Sequence, residues 1–330
     1  MLDNLLNPMI LCFVVGLSAG LLKSDLRLPN QMYETLSLFL LFSIGLKGGV
    51  EMARSDLLQA MWPIMATLGL GIIIPIIAFF ILRGLGRLNQ IDSANIAAHY
   101  GSVSAVTFAI VTAFLLQHQV PYESFVTLLL VILEIPAIAV GILIARIQLH
   151  KLDTHQFGEA TKPLEWKALL HEVFFGKSIF LLLGGVFVGY FSGPVHIQSI
   201  APVFFDLFKG ALAVFLLEMG VITSRRFSDL KSVGPFLVVF GMGMPVISGA
   251  MGAFLGTLSG LSIGGATVLA TLAGSASYIA APAAMRMALP KANPTLSLTA
   301  SLAITFPFNL VAGIPLYFWM SQSVHAWIGG

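Results

Sequence analysis

Charge is scarce in this chain. Only 10% of its 330 residues are Asp, Glu, Lys or Arg, against about a quarter in an average soluble domain. With 57% hydrophobic residues and a mean hydropathy of +0.93, that scarcity excludes an ordinary soluble domain. An all-α polytopic membrane protein is expected. Cysteine is almost missing too. Cys12 is the single one, so an internal disulfide and paired-cysteine metal sites are excluded. It sits in an apolar run and reads as a packing thiol. No Lys or Arg precedes Lys23, so the basic start of a cleavable signal peptide is lacking. Residues 8–22 are therefore expected to be a retained, short transmembrane helix.

Catalytic signatures are lacking as well. There is no HExxH, no Walker A and no paired acidic motif. G-x-S-x-G occurs at Gly16–Gly20 and Gly260–Gly264, but a nucleophile elbow needs a strand before its serine. Neither hit has one. No enzyme, no nucleotide-driven engine, no cofactor and no nucleic-acid partner is expected.

What is present is a series of long apolar runs. A span needs about 20 mostly apolar residues. Ten are read, at roughly 8–22, 33–50, 61–82, 92–116, 122–145, 173–191, 203–221, 234–258, 264–288 and 295–320. The polar stretch 146–172 divides them five and five. This gives a first repeat (1–145), a linker (146–172) and a second repeat (173–330). Of the 17 Lys and Arg, all but Lys47, Arg54 and Lys209 fall on one set of connections. Basic residues stay cytoplasmic. The linker is thus expected inside and both termini outside, in a bacterial inner membrane.

The halves echo each other in order. Gly45 pairs with Gly220, and Ser55-Asp56-Leu57 with Ser228-Asp229-Leu230. Gly101–Ser104 pairs with Gly274–Ser277, Pro121 with Pro294, and Pro136 with Pro307. Five spans per half, an odd number, turns the second half over. That is the inverted-topology architecture of secondary transporters.

The duplicated G-S-x-S stretches fall within spans 4 and 9. A helix breaks at membrane depth only where the broken end faces protein or water. A break frees N–H donors at a positive half-helix end, which attracts anions. Small residues also let helices pack closely, as at Gly185/Gly189 and Gly252/Gly256. Duplication at matching positions favours a substrate site. The residues are Gly101, Ser102, Ser104, Ala105 and Thr107 from one half, and Gly274, Ser275, Ser277 and Tyr278 from the other.

Glu134 lies near the middle of span 5. An ionisable residue there is costly and is a functional candidate. Thr305 is its counterpart, with Asn309 one turn on. All three offer oxygen to a hard cation such as Na⁺, and Glu134 could equally carry a proton. Glu218 is a second candidate, nearer a span end. His99 could be a satisfied buried histidine.

The stretches SIGLKGGVEMARSDL, HYGSVSAVTF, LEIPAIAVGILIARI, LLEMGVITSRRFSDLKSVGP and AGSASYIAAPAAMRMALPKANP resemble the sodium-dependent bicarbonate transporter family, best known from cyanobacteria. The resemblance runs from about residue 10 to 318. It implies a ten-helix inverted repeat with core and gate domains, and a homotrimer. It also implies bicarbonate held near two broken helices, Na⁺ as coupling ion, and a PII-like regulator on the cytoplasmic face. Glu134 stands where the cyanobacterial proteins carry Asp in a D-I-P motif. Tyr278 stands where they carry an acid. Tyrosine is neutral, so an altered anion or altered coupling stays open.

The leading expectation is a secondary transporter of a small anion, first of all Na⁺-coupled bicarbonate uptake by alternating access. A cation/proton antiporter or organic-anion symporter of similar fold is the alternative. A non-transporting membrane receptor or scaffold is more remote, because it has no need of duplicated helix breaks.

Overall fold

The computed structural model describes residues 8–26, 28–53, 57–156, 175, 177–278, 281, 282, 285, 289 and 291–329. Among them every regular element is a helix. In order these are α1 (Pro8–Leu21), α2 (Asn30–Met52), α3 (Met61–Gly84), α4 (Gln90–Gly101), α5 (Ala105–Gln117) and α6 (Val126–Gln156). Then come α7 (Lys177–His196), α8 (Phe208–Arg226), α9 (Leu230–Leu258), α10 (Ile263–Ala273), α11 (Pro294–Leu298) and α12 (Ile314–Gly329). Helices are what apolar runs must form in lipid, because only they satisfy the backbone within one segment.

Seven helical stretches among the described residues are long and apolar enough to cross a membrane: Gln31–Met52, Leu58–Gly84, Gln90–Gln117, Val126–Ile144, Phe180–Ser199, Gly234–Leu258 and Pro294–Ile328. Pro8–Leu21 and Ile263–Ala273 are apolar but shorter. The stretch expected as span seven is α8, which carries Lys209, Glu218, Arg225 and Arg226 and is not among the seven. The chain is an apolar helical membrane protein. α6 runs on to Gln156, past the expected start of the linker at 146. Residues 157–172 of that linker lie outside the described residues, as does most of the expected span 9 beyond Tyr278.

Two helix pairs make the closest approaches. α1 lies on α8, and α2 on α7. A Cβ at Gly16 would run into the Leu217 backbone, and one at Gly45 into the Leu182 carbonyl. Gly189 likewise abuts Leu46, while Gly252 and Gly256 abut Ala270 and Ala266. These glycines are packing surfaces, the ordinary use of small residues between membrane helices. A second body of packing joins α3, α4 and α6, and a third joins α9, α10 and α12. Large apolar side chains stay exposed on α3 (Ile72, Ile76, Phe80) and α7 (Phe180, Phe187, Phe191). Those faces suit lipid.

The stretch between α11 and α12 is unusual. It is π-helical over Thr299–Thr305 and again over Asn309–Gly313, with one α-turn, Phe306–Phe308, between them. Pro307 sits in that turn. Proline lacks the N–H that a regular helix needs and crowds the preceding turn, and widened turns are one way to accommodate it. The widening brings Thr305 and Asn309 to bear on neighbouring helices.

Candidate functional site

Most buried hydroxyls in the spans are satisfied locally. Thr67 donates to the Pro63 carbonyl (2.7 Å), Thr271 to Thr267 (2.8 Å) and Ser321 to Tyr317 (2.9 Å). Each closes a bond four residues back and needs no further role. The serines of the two G-S-x-S stretches behave differently.

α4 ends at Gly101. Ser102 and Ser104 then take extended backbone angles (φ −88°, ψ 171° and φ −110°, ψ 112°), and α5 begins at Ala105. Ser104 caps α5: its Oγ accepts the Thr107 N–H at 3.1 Å. Such a cap satisfies one of the orphan donors of the first turn. In the other half, α10 ends at Ala273, and Gly274 to Ser277 leave the helix. Ser277 Oγ accepts the Ala281 N–H at 3.1 Å.

The two stretches then bond to each other. The Ser104 N–H donates to Ser275 Oγ (3.0 Å), and Ser275 Oγ donates to the Leu272 carbonyl (2.8 Å). The Ser277 N–H donates directly to the His99 carbonyl (2.8 Å). Ser104 Oγ donates to the Tyr278 hydroxyl (3.1 Å). Ser102, Ser104, Thr107, Ser275, Ser277 and Tyr278 are all buried. Partners more than 170 residues apart thus meet in a buried interior. There each charge or dipole counts for more than in water, and the positive end of α5 points into the meeting place.

Close backbone approach explains the glycines. A Cβ on Gly101 would come within 2.8 Å of the Pro75 ring of α3. A Cβ on Gly274 would come within 2.6 Å of the Tyr317 hydroxyl and 2.9 Å of the Pro245 carbonyl of α9. Each break is thus backed by a proline-bearing helix.

The cation candidates fall in different places. Glu134 is buried in α6, the helix that packs on α3 and α4. Thr305 Oγ1 donates to the Gly241 carbonyl (2.6 Å), so the Tyr100 hydroxyl is the donor in the 2.7 Å bond between Tyr100 and Thr305. Asn309 holds the Gly274 carbonyl with its amide N–H (2.8 Å) and accepts the Tyr317 hydroxyl (2.7 Å). Thr305 and Asn309 therefore brace the second break. No hydrogen bond joins Glu134 to either of them among the described residues. Glu218 is buried and accepts the Leu28 N–H at 2.7 Å. It pins the α1–α2 connection to α8.

Sequence reasoning missed the clamps at the outer ends. Asn89 caps α4 by accepting the Asp92 N–H (2.8 Å), and Asp92 accepts the Asn293 N–H (2.7 Å). Asn293 in turn accepts the Thr295 N–H at the start of α11 (3.0 Å). Ser262 caps α10, and the Glu123 carboxylate accepts the Ser262 N–H (2.6 Å) and its hydroxyl (3.2 Å). Asx or Ser before an apolar run signals the caps; nothing local signals their partners. A cavity of about 450 Å³ lies between the first clamp and the breaks, lined by Asn95, His99, Pro282, Met285 and Ser297 among others.

With this geometry in hand, comparison with known families is informative. The model of the Na⁺-dependent bicarbonate transporter superfamily matches residues 8–322, nearly the whole chain. The chain belongs to that superfamily, and so to transporters rather than enzymes. A comparison with curated proteins finds no match.

Proposed function

We propose that this chain is a sodium-coupled bicarbonate transporter that works by alternating access, with the anion held between two broken helices. In this reading α4 and α5 are the two halves of span 4, and α10 is the first half of span 9. Ten spans form two inverted repeats. The α1–α8 and α2–α7 pairs make a gate, and α3–α6 with α9–α12 make the core. The linker is cytoplasmic and both termini lie outside the inner membrane. Sodium is drawn by Glu134.

One observation carries the reading. Two backbone N–H groups join the breaks, Ser104 N–H to Ser275 Oγ and Ser277 N–H to the His99 carbonyl, and an oxyanion could replace both acceptors. A small anion with several acceptor lone pairs can take both N–H groups and the positive end of α5 at once. A buried N–H can exchange one acceptor for another at little net cost, whereas losing its acceptor costs about 1–3 kcal/mol. The paired clamps support the same reading. Asp92–Asn293 and Glu123–Ser262 tie the two halves of the core together, so that the core can move as one body against the gate.

The test is uptake of labelled bicarbonate into proteoliposomes holding the purified chain. Accumulation should follow an inward Na⁺ gradient and vanish when K⁺ replaces Na⁺. Equal uptake with and without the gradient would remove the coupling. No uptake by well-folded protein would remove the substrate.

A further inference from the structure

His99 is buried, and its two ring nitrogens have unequal lives. Nδ1 lies 2.8 Å from the Asn95 backbone carbonyl. A carbonyl only accepts, so Nδ1 carries the proton of the neutral ring and Nε2 carries the lone pair. Nε2 is buried with no hydrogen-bond partner among the described residues. One turn on, Ser102 Oγ is likewise buried without a partner. Two orphaned polar atoms thus lie three residues apart where α4 gives way to the break. That is rare, since most buried polar side-chain atoms find partners. Nor is His99 loosely placed. Its carbonyl receives the Ser277 N–H from the opposite break, and His99 is among the residues around the roughly 450 Å³ cavity, beside Asn95, Pro282 and Ser297.

We infer that His99 and Ser102 form the part of the anion site that recognises a hydroxyl-bearing anion, with His99 Nε2 accepting the anion's O–H and Ser102 Oγ donating to one of its other oxygens. The inference rests on the anion-site reading above and adds the basis of its selectivity. Backbone N–H groups and a helix end attract any small anion. They do not separate bicarbonate from nitrate, which has the same charge and planar shape. A lone-pair acceptor does separate them. Bicarbonate brings an O–H to Nε2, whereas nitrate brings only a further lone pair against it. A buried acceptor left facing another acceptor disfavours the wrong ligand, and this is how a site built for a substrate hydroxyl rejects its analogue.

The experiment is titration calorimetry on the purified full-length protein in sodium buffer near pH 8, using sodium bicarbonate and sodium nitrate as probes. Wild type should bind bicarbonate at least about tenfold more tightly than nitrate, the scale of one hydrogen bond to a charged ligand. In His99→Leu the bicarbonate affinity should fall about tenfold, to the nitrate level, with nitrate unchanged. His99→Gln, whose side-chain oxygen can accept, should keep part of the preference. A folded His99→Leu with an unchanged ratio overturns the inference while leaving the transport reading intact. A wild type that binds the two anions equally overturns the inference, and one that binds neither overturns the anion-site reading as well. Should His99→Leu fail to fold, ¹⁵N spectra of histidine-labelled wild type decide. The Nε2 signal, assigned by its loss in His99→Gln, should move with bicarbonate and stay still with nitrate. A signal indifferent to bicarbonate overturns the inference.

Discussion

The two breaks share glycine and both serines in the same order, at Gly101–Ser104 and Gly274–Ser277, yet they are finished differently. At the second break every polar group of note is tied down. Asn309 holds the Gly274 carbonyl, Tyr317 holds Asn309, Ser275 Oγ bonds Leu272, and Ser277 N–H bonds His99. At the first break Ser102 Oγ has no partner among the described residues, although its counterpart Ser275 makes two bonds. Ser104 reaches the other half through two hydroxyls, those of Ser275 and Tyr278. The second break is a braced frame, and the first leaves polar groups to spare.

Substitutions can pull this contrast apart. The largest effect should come from Glu134, whose counterpart in the second half is the neutral Thr305. Glu134→Gln should abolish the response of uptake to a Na⁺ gradient while the protein stays folded. Gradient-driven uptake in that variant would give Glu134 a structural role only. Next come the paired serines. Ser275→Ala and Ser102→Ala should each lower uptake by about tenfold, a loss of roughly 1.4 kcal/mol in the transport step. Their stabilities should diverge. Ser275→Ala leaves the Ser104 N–H without an acceptor, a penalty of about 1–3 kcal/mol, and should melt lower. Ser102→Ala removes a hydroxyl that has no bond to lose and should melt at the wild-type temperature or above. Equal melting of the two would erase the distinction between frame and receptor.

Tyr278→Phe should do less. It removes the acceptor for Ser104 Oγ, worth about 1 kcal/mol, and should slow uptake a few-fold with Na⁺ dependence kept. The smallest effect is expected at the outer clamp. Glu123→Gln keeps an oxygen for the Ser262 N–H but loses the charge assistance, which roughly halves such a bond. It should shift the balance between gate conformations and change initial rates by about twofold. Solvent labelling of a cysteine placed beside Ser262 would report that shift.

Much of this was legible before any coordinates. Composition alone gave the membrane class. The repeated G-S-x-S stretches pointed to Ser104, Ser275 and Tyr278, which do meet. Their signal was strong because glycine and hydroxyls weaken a helix wherever they cluster, and two such clusters in register are hard to reach by chance. Other features were hidden because they depend on contacts far apart in sequence. Glu218 reads as a costly charge in an apolar run, and only the Leu28 N–H, from a connection 190 residues away, accounts for its burial. Asn309 reads as an oxygen ligand, but the widened turns around Pro307 aim it at Gly274. His99 looks like any buried histidine until the Asn95 carbonyl assigns its proton and leaves Nε2 over. Ten apolar runs were expected, whereas seven stretches among the described residues are long and apolar enough to cross a membrane, with α1 and α10 shorter and α8 more charged.

The central claim is that the two breaks hold the anion between them. A cryo-electron microscopy structure of the protein in lipid nanodiscs with saturating sodium bicarbonate tests it most directly. The account predicts density for a planar anion within hydrogen-bond reach of the Ser104 and Ser277 N–H groups, with His99 Nε2 on its remaining side and the Ser104–Ser275 bond released. An anion bound elsewhere, with Ser104 still bonded to Ser275, would contradict it.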